Sequence, residues 1–210
     1  MDVIEAMTGT GTCRYFRSDP VPEKVLLSAF DAARFAPQGG NRQPVRWVVV
    51  TDPDLKRQLK EWYLVPWKAY LGAITTGDIA VGALPKAVTD ADYFAEHLDE
   101  VPAIVVCCAQ LDGLHPTDNE LGRLSVVGGA SIYPTAQNFC LALRAQGVAS
   151  AITTLLCHYE PQVKELLGIP DDVITAAHIA VGYPATHFPA KLSRIPVEEI
   201  AFSNAYGAPL

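Results

Sequence analysis

The stretch that most constrains this chain is residues 37–50, PQGGNRQPVRWVVV. Residues 45–51 are β-branched and apolar, and predict a buried strand. Residues 37–44 hold two prolines, two glycines and three side-chain amides, a composition that favours neither helix nor sheet. Upstream, Val25, Leu26, Ala29, Phe30 and Ala33 recur at helical spacing. Pro22 can open that helix, and it ends near Phe35, ahead of Pro37. A polar loop is thus held between two rigid elements, where a binding residue can be both exposed and fixed. Gly39 and Gly40 allow positive φ and close approach of a flat ligand. Asn41 and Gln43 each carry a donor and an acceptor, which suits the edge of a heteroaromatic ring. On this loop alone, an ordinary helix-to-strand connection is an equal reading.

The bulk properties narrow the choice. A chain of 210 residues fits one domain, 1–210, with a substantial core. A net charge of −7 without a basic run argues against nucleic acid as a partner. No apolar run is long enough to span a bilayer, and the acidic N-terminus does not read as a secretory signal. Five cysteines without a CxxC pair predict buried, reduced thiols in a cytoplasmic protein. His97, His115, His158, His178 and His187 are scattered without ligand spacing, so a metal site is not expected. The P-loop, the dinucleotide GxGxxG and the GxSxG elbow are all missing. With no obvious nucleophile or metal, hard chemistry would have to come from a cofactor.

Further elements follow from pattern. Residues 54–63 predict a surface helix, and residues 62–70 gather two tryptophans and two tyrosines around Pro66. Such a cluster reads first as core, and second as a substrate wall. Residues 72–92 lack periodicity and could form a lid or a plain connection. Residues 103–109 predict a strand, and residues 128–147 the strongest helix, apolar nearly all round. Residues 160–167 predict a short helix and 176–182 the last strand, with His178 in the core. Residues 195–210 are too short to fold alone, and would dock on another chain or on the core.

A proline, small residues, an asparagine and then Gln-Pro ahead of a valine-rich strand resemble the signature of the nitroreductase family of flavoproteins. That family usually has serine where this chain has Gln38, and an aromatic ring where it has Val45. Gly11, Thr12, Cys13, Arg14 and Phe16 resemble its Arg-Ser-x-Arg-aromatic motif, with the first arginine missing. Residues 12–51, 128–155 and 165–196 follow family order.

The resemblance implies an α+β fold, a central, mostly antiparallel sheet flanked by helices, in an intertwined homodimer. It implies FMN at the interface, held by Thr12, Cys13, Arg14, Pro37, Gln38, Gly39, Gly40, Asn41, Gln43, Thr153, Thr154, Leu155, Lys191 and Arg194. Arg14 and Arg194 would share the phosphate, and the backbone amides of Thr154 and Leu155 would lie near the reactive N5 edge. It implies ping-pong transfer of two electrons from NAD(P)H to a nitroaromatic, quinone or enone acceptor. Specialised flavin dehydrogenases or dehalogenases, and a flavin-binding protein without turnover, are the alternatives. For Arg14 or Lys191 alone, a solvated surface cation is the simpler reading.

Overall fold

The computed structural model describes residues 1–76 and 85–210. Four strands, β1 (Val45–Val50), β2 (Ala103–Gln110), β3 (Ala149–Thr153) and β4 (Val173–Gly182), form one sheet in the order β1-β2-β4-β3. All three pairings are antiparallel. β2 is buried along nearly its whole length, as its unbroken apolar run AIVVCCAQ requires of a central strand covered on both faces. β4 begins at Val173, three residues earlier than the sequence predicts. The register slips by one between Cys107 and Cys108, so that Ala176 bulges and Ala176 and Ala177 join the same core face.

Helices cover both faces. α2 (Glu23–Ala33) and α5 (Tyr133–Ala145) pack on one side, where Phe30, Trp47 and Phe139 meet with ring centroids 4.8–5.2 Å apart. Such ring pairs contribute about 0.5–1.5 kcal/mol each beyond the area they bury. α3 (Pro53–Thr76), α4 (Pro85–Glu96) and α6 (Glu160–Leu167) lie over the other face, around Leu59, Tyr63, Trp67 and Leu156. A short α1 (Val3–Gly9) precedes them, capped by the Asp2 carboxylate on the Glu5 N–H.

Two helices differ from expectation. α3 does not stop at Tyr63 but runs through Pro66. Tyr63 and Trp67, one turn apart, are buried on either side of the proline, and the Trp67 indole donates to Asp92 at 2.7 Å. Anchoring of both rings outweighs the missing hydrogen bond, a loss of about 3 kcal/mol in an unsupported helix. Within the aromatic cluster, Tyr63 and Trp67 are core, Trp62 is half-buried and Tyr70 is exposed. α5 starts at Tyr133 rather than 128, because Val127–Gly129 form a separate 3-10 turn. It buries Thr135, Ala136, Phe139, Cys140 and Leu143, and leaves Leu141 and Ala142 half-covered. Of the segment 72–92 read as a lid, residues 77–84 lie outside the described residues and both flanks are helical. No described helix is long and apolar enough to cross a membrane.

Candidate functional site

The predicted site residues fall into two groups. The first is an N-terminal arm laid across the ends of β3 and β4. The Cys13 N–H donates to the Ser150 carbonyl at 2.9 Å, Arg17 to Tyr183 at 2.8 Å, and Ala185 to Tyr15 at 2.9 Å. Gly182 makes this crossing possible, since a Cβ there would lie 2.7 Å from Pro102 and 3.0 Å from Phe16. Thr12, Cys13 and Arg14 line a cavity of about 310 Å³, together with Tyr15, Lys86, Asp90 and Leu192.

Arg14 is half-buried, its guanidinium 5.2 Å from the Phe94 ring centroid. Burial holds its pKa below the usual arginine value. Asp90 acts on it through space, but that carboxylate is engaged by Tyr15 at 2.8 Å and by Lys86 at 2.7 Å. No carboxylate among the described residues lies within ion-pair reach of Arg14. Phe94 meets Tyr63 edge-on, and the Thr153 hydroxyl donates to the Tyr63 phenol at 3.4 Å. Arg14 and Thr153 are therefore joined through two aromatic side chains that sequence reading assigned only to a general cluster or passed over.

The second group is the loop 37–43. Gly39–Asn41 form a 3-10 turn, and the Gly39 N–H donates to the Ser131 hydroxyl at 3.1 Å. Positive φ falls on Gly40 (59°), Asn41 (53°) and Gln43 (52°), not on Gly39. Asparagine tolerates this region; for glutamine it is uncommon, and marks local strain beside the site. Pro37, Gln38, Gly39 and Gly40 line a cleft of about 480 Å³ that also contains Gly113, Leu114 and Ser131. Gln43 lines a neighbouring hollow with Gln38 and Trp47, and Asn41 lines neither. The Gln38 Oε1 is buried without a hydrogen-bond partner among the described residues, while its Nε2 donates to the Arg34 carbonyl at 3.3 Å.

The end of β3 lies between the groups. Thr154 lines a cleft of about 840 Å³ that shares Leu114 and Gly128 with the loop cleft. The Leu155 N–H points at the Thr153 hydroxyl, 3.4 Å away. Lys191 and Arg194 are exposed on the tail and do not line the arm cavity; the Arg194 guanidinium donates to the Ser193 carbonyl at 2.7 Å. Leu192 between them does line it, and its N–H donates to the Thr8 carbonyl at 2.8 Å. Within one chain, then, the loop and the arm do not share a cavity, and Arg14 and Arg194 do not meet.

Three cysteines are buried, whereas Cys13 and Cys157 are only half-buried. Burial raises the pKa of both. They stand as neutral thiols, not as activated nucleophiles. Sequence reasoning missed Ser131, Lys86 and Asp90. The spacing of Lys86 and Asp90 carried a signal, an i,i+4 pair of opposite charge. Ser131 carried none, since its partner is 92 residues away.

A four-stranded antiparallel sheet between two helical layers, with a cavity at the N-terminal arm and clefts beside the loop 37–43 and the end of β3, defines an α+β protein. The nitroreductase family model matches residues 8–183, and the chain belongs to that family. It is 31% identical to the NADH dehydrogenase of Thermus thermophilus, over 95% of this chain and 96% of that protein. It is 30% identical to the iodotyrosine deiodinase of Drosophila melanogaster over 87% of this chain, and spans 62% of that protein's length. The NADPH:FMN oxidoreductase of Vibrio harveyi, solved with NAD+, superposes with a TM-score of 0.68 at 21% identity, covering 97% of this chain and 77% of that one.

Proposed function

We propose that this chain is an FMN-dependent oxidoreductase that moves two electrons from NADH or NADPH to an electron-poor organic acceptor. It does so as a cytoplasmic homodimer of single-domain protomers. The observation that carries this reading is Arg14, a half-buried cation without a carboxylate of its own among the described residues, which lines one cavity with Thr12. A guanidinium fork and a hydroxyl suit an anionic, oxygen-rich group such as a flavin's phosphate-bearing side chain. The loop 37–43 supplies the complementary half: a free amide oxygen on Gln38 and a glycine backbone that a flat ring can approach. The two halves are apart in one chain, so the reading requires the loop of one protomer to face the arm of its partner. The likeness to an NADH dehydrogenase and an NADPH:FMN oxidoreductase supports the same class.

The flavin, when bound, supplies the two-electron chemistry; the chain binds and orients it. Thr12 and Arg14 would hold the phosphate side, joined by Lys191 and Arg194 if the exposed tail turns toward the cavity. Pro37, Gln38, Gly39, Gly40, Asn41 and Gln43 would hold the ring, and the backbone at Thr153, Thr154 and Leu155 would lie at its reactive edge. An N–H aimed there stabilises charge on the reduced ring. The deiodinase relatives favour a second reading, reductive dehalogenation of a specialised substrate by the same cofactor.

The test is the absorbance spectrum of the purified protein, with mass identification of released cofactor. It is followed by oxidation of NADH and NADPH in the presence of a nitroarene, a quinone or an iodophenol. A colourless protein that gains no flavin absorbance with added FMN would overturn the proposal. Turnover of the iodophenol alone would select the second reading.

A further inference from the structure

The arm cavity holds a second cation with a replaceable partner. Lys86 stands in the first turn of α4, and its Nζ lies 2.8 and 2.7 Å from the two oxygens of Asp90, one turn along the same helix. The lysine side chain is 78% exposed, so this ion pair is a weak one. Asp90 keeps a second partner, the Tyr15 hydroxyl at 2.8 Å. Lys86 and Asp90 both line the cavity with Thr12 and Arg14. Among the described residues, Lys86 and Arg14 are the only lysine and arginine in that lining.

A phosphate monoester carries about −1.5 to −2 charges near neutral pH, which Arg14 does not balance by itself, and the tail cations Lys191 and Arg194 do not line this cavity in one chain. The arm itself carries no second cation at Gly11, where a Cβ would lie 3.0 Å from the Leu192 side chain and could be added only if that side chain shifted. A lysine is a compact charge on a four-carbon stem and can swing between partners without moving its backbone. We infer that Lys86 leaves Asp90 to bind the terminal phosphate of the cofactor, opposite Arg14, and that Asp90 is its resting counter-ion. The inference rests on the FMN reading above. It assigns to α4 a direct role in holding the cofactor, through a side chain that already lines the arm cavity. Tyr15 keeps the Asp90 carboxylate hydrogen-bonded when the lysine departs.

The experiment is fluorescence titration of the apo-protein with FMN and with riboflavin, which lacks the phosphate, for the wild type, Lys86→Ala, Lys86→Arg and Asp90→Asn. Because it removes one charge-assisted hydrogen bond, Lys86→Ala is expected to weaken FMN binding about tenfold and leave riboflavin within about twofold. Lys86→Arg is expected to retain the preference for FMN. Asp90→Asn removes both the competing partner and a repelling charge, and is expected to tighten FMN about threefold without tightening riboflavin. A Lys86–Asp90 pair that merely staples the helix would give equal changes for both flavins, or none, and that result overturns the inference. A wild type that prefers FMN while Lys86→Ala keeps the same preference removes Lys86 alone. A wild type that binds neither flavin removes the FMN reading itself, and this inference with it.

Discussion

The Gly39 N–H donates to the Ser131 hydroxyl across 3.1 Å, fastening the loop ahead of β1 to the turn ahead of α5. It is the one side-chain bond to the loop's backbone from a distant part of the described chain. Ser131→Ala frees an N–H that is exposed and can turn to water, so the stability loss should stay below about 1 kcal/mol. The loop would then have to be ordered by the ligand. Binding of FMN and of riboflavin should weaken together, by about three- to tenfold, because the loop serves the ring and not the phosphate. Urea denaturation and flavin titration measure both. An unchanged affinity would show that the loop holds its shape unaided.

His178 is 1% exposed on β4, opposite Val106 and Thr153, and neither ring nitrogen has a partner among the described residues. Burial lowers its pKa from 6.5 to about 4. Between those values the unfolded chain binds the proton and the folded chain does not. The contribution is therefore fully present above pH 6.5 and is lost as pH falls toward 4, by about 3 kcal/mol in all. His178→Leu should flatten the stability profile over that window. It should leave the loss at lower pH that comes from carboxylates such as Asp118, held well below its usual range first by Ser125 and the Val126 N–H. Urea midpoints from pH 4.5 to 8 decide the matter: parallel profiles for variant and wild type would mean that His178 finds a partner.

Where one periodicity dominated, the sequence was readable. α6 and β1 lie close to the pattern of their residues, and the interior position of His178 was legible from its apolar neighbours. The pattern failed where tertiary contacts reversed a local preference. Pro66 marks a helix end in isolation, and only the burial of Tyr63 and Trp67 carries α3 past it. The start of β4 was hidden because the bulge at Ala176 breaks the two-residue alternation. At the site, the arm and the loop were both legible as motifs. That they stand apart in one chain was not, because motif order says nothing of distance. The spacing of Lys86 and Asp90 was legible as a helical ion pair, but their place beside the arm was not, because the cavity between α4 and the arm exists only once both are folded.

The chain exposes 12208 Å². A compact monomer of this mass would expose about 9,500 Å². Leu27, Phe35, Ile195, Val197, Ile200 and Leu210 are among the large apolar side chains left outside. An excess of this size, with apolar residues along the tail, fits a chain that covers a second copy of itself. Light scattering should give the dimer mass at micromolar concentration, and the interface should exceed about 2,000 Å². Removal of residues 195–210 should lower the dimer's stability and its flavin content together. A folded, flavin-loaded monomer would contradict both expectations.

Arg14 and Arg194 do not touch in one chain, yet Leu192, two residues before Arg194, lines the cavity that Arg14 enters. Arg194 would reach the same rim if the exposed tail turned about Leu192. The Arg194 guanidinium now donates to the adjacent Ser193 carbonyl, a local bond that a phosphate would readily replace. If both arginines reach one phosphate, removing either leaves its charge poorly compensated. A charge-assisted bond is worth about 1.5–3 kcal/mol, so Arg14→Ala and Arg194→Ala should each weaken FMN binding by roughly ten- to a hundredfold. Riboflavin should bind weakly and respond little to Arg194→Ala. Arg14→Ala should cost riboflavin slightly more, because its guanidinium packs on Phe94 beside Tyr63 and Thr153. The double variant should fall short of the sum of the two losses, since both act on one group. Thr12→Val should cost less than either, since it removes only a neutral hydroxyl's hydrogen bond. Fluorescence titration of the apo-protein with both flavins reads all of these. Equal losses for FMN and riboflavin in Arg194→Ala would place that residue away from the phosphate, and no loss for FMN would return it to the solvated tail.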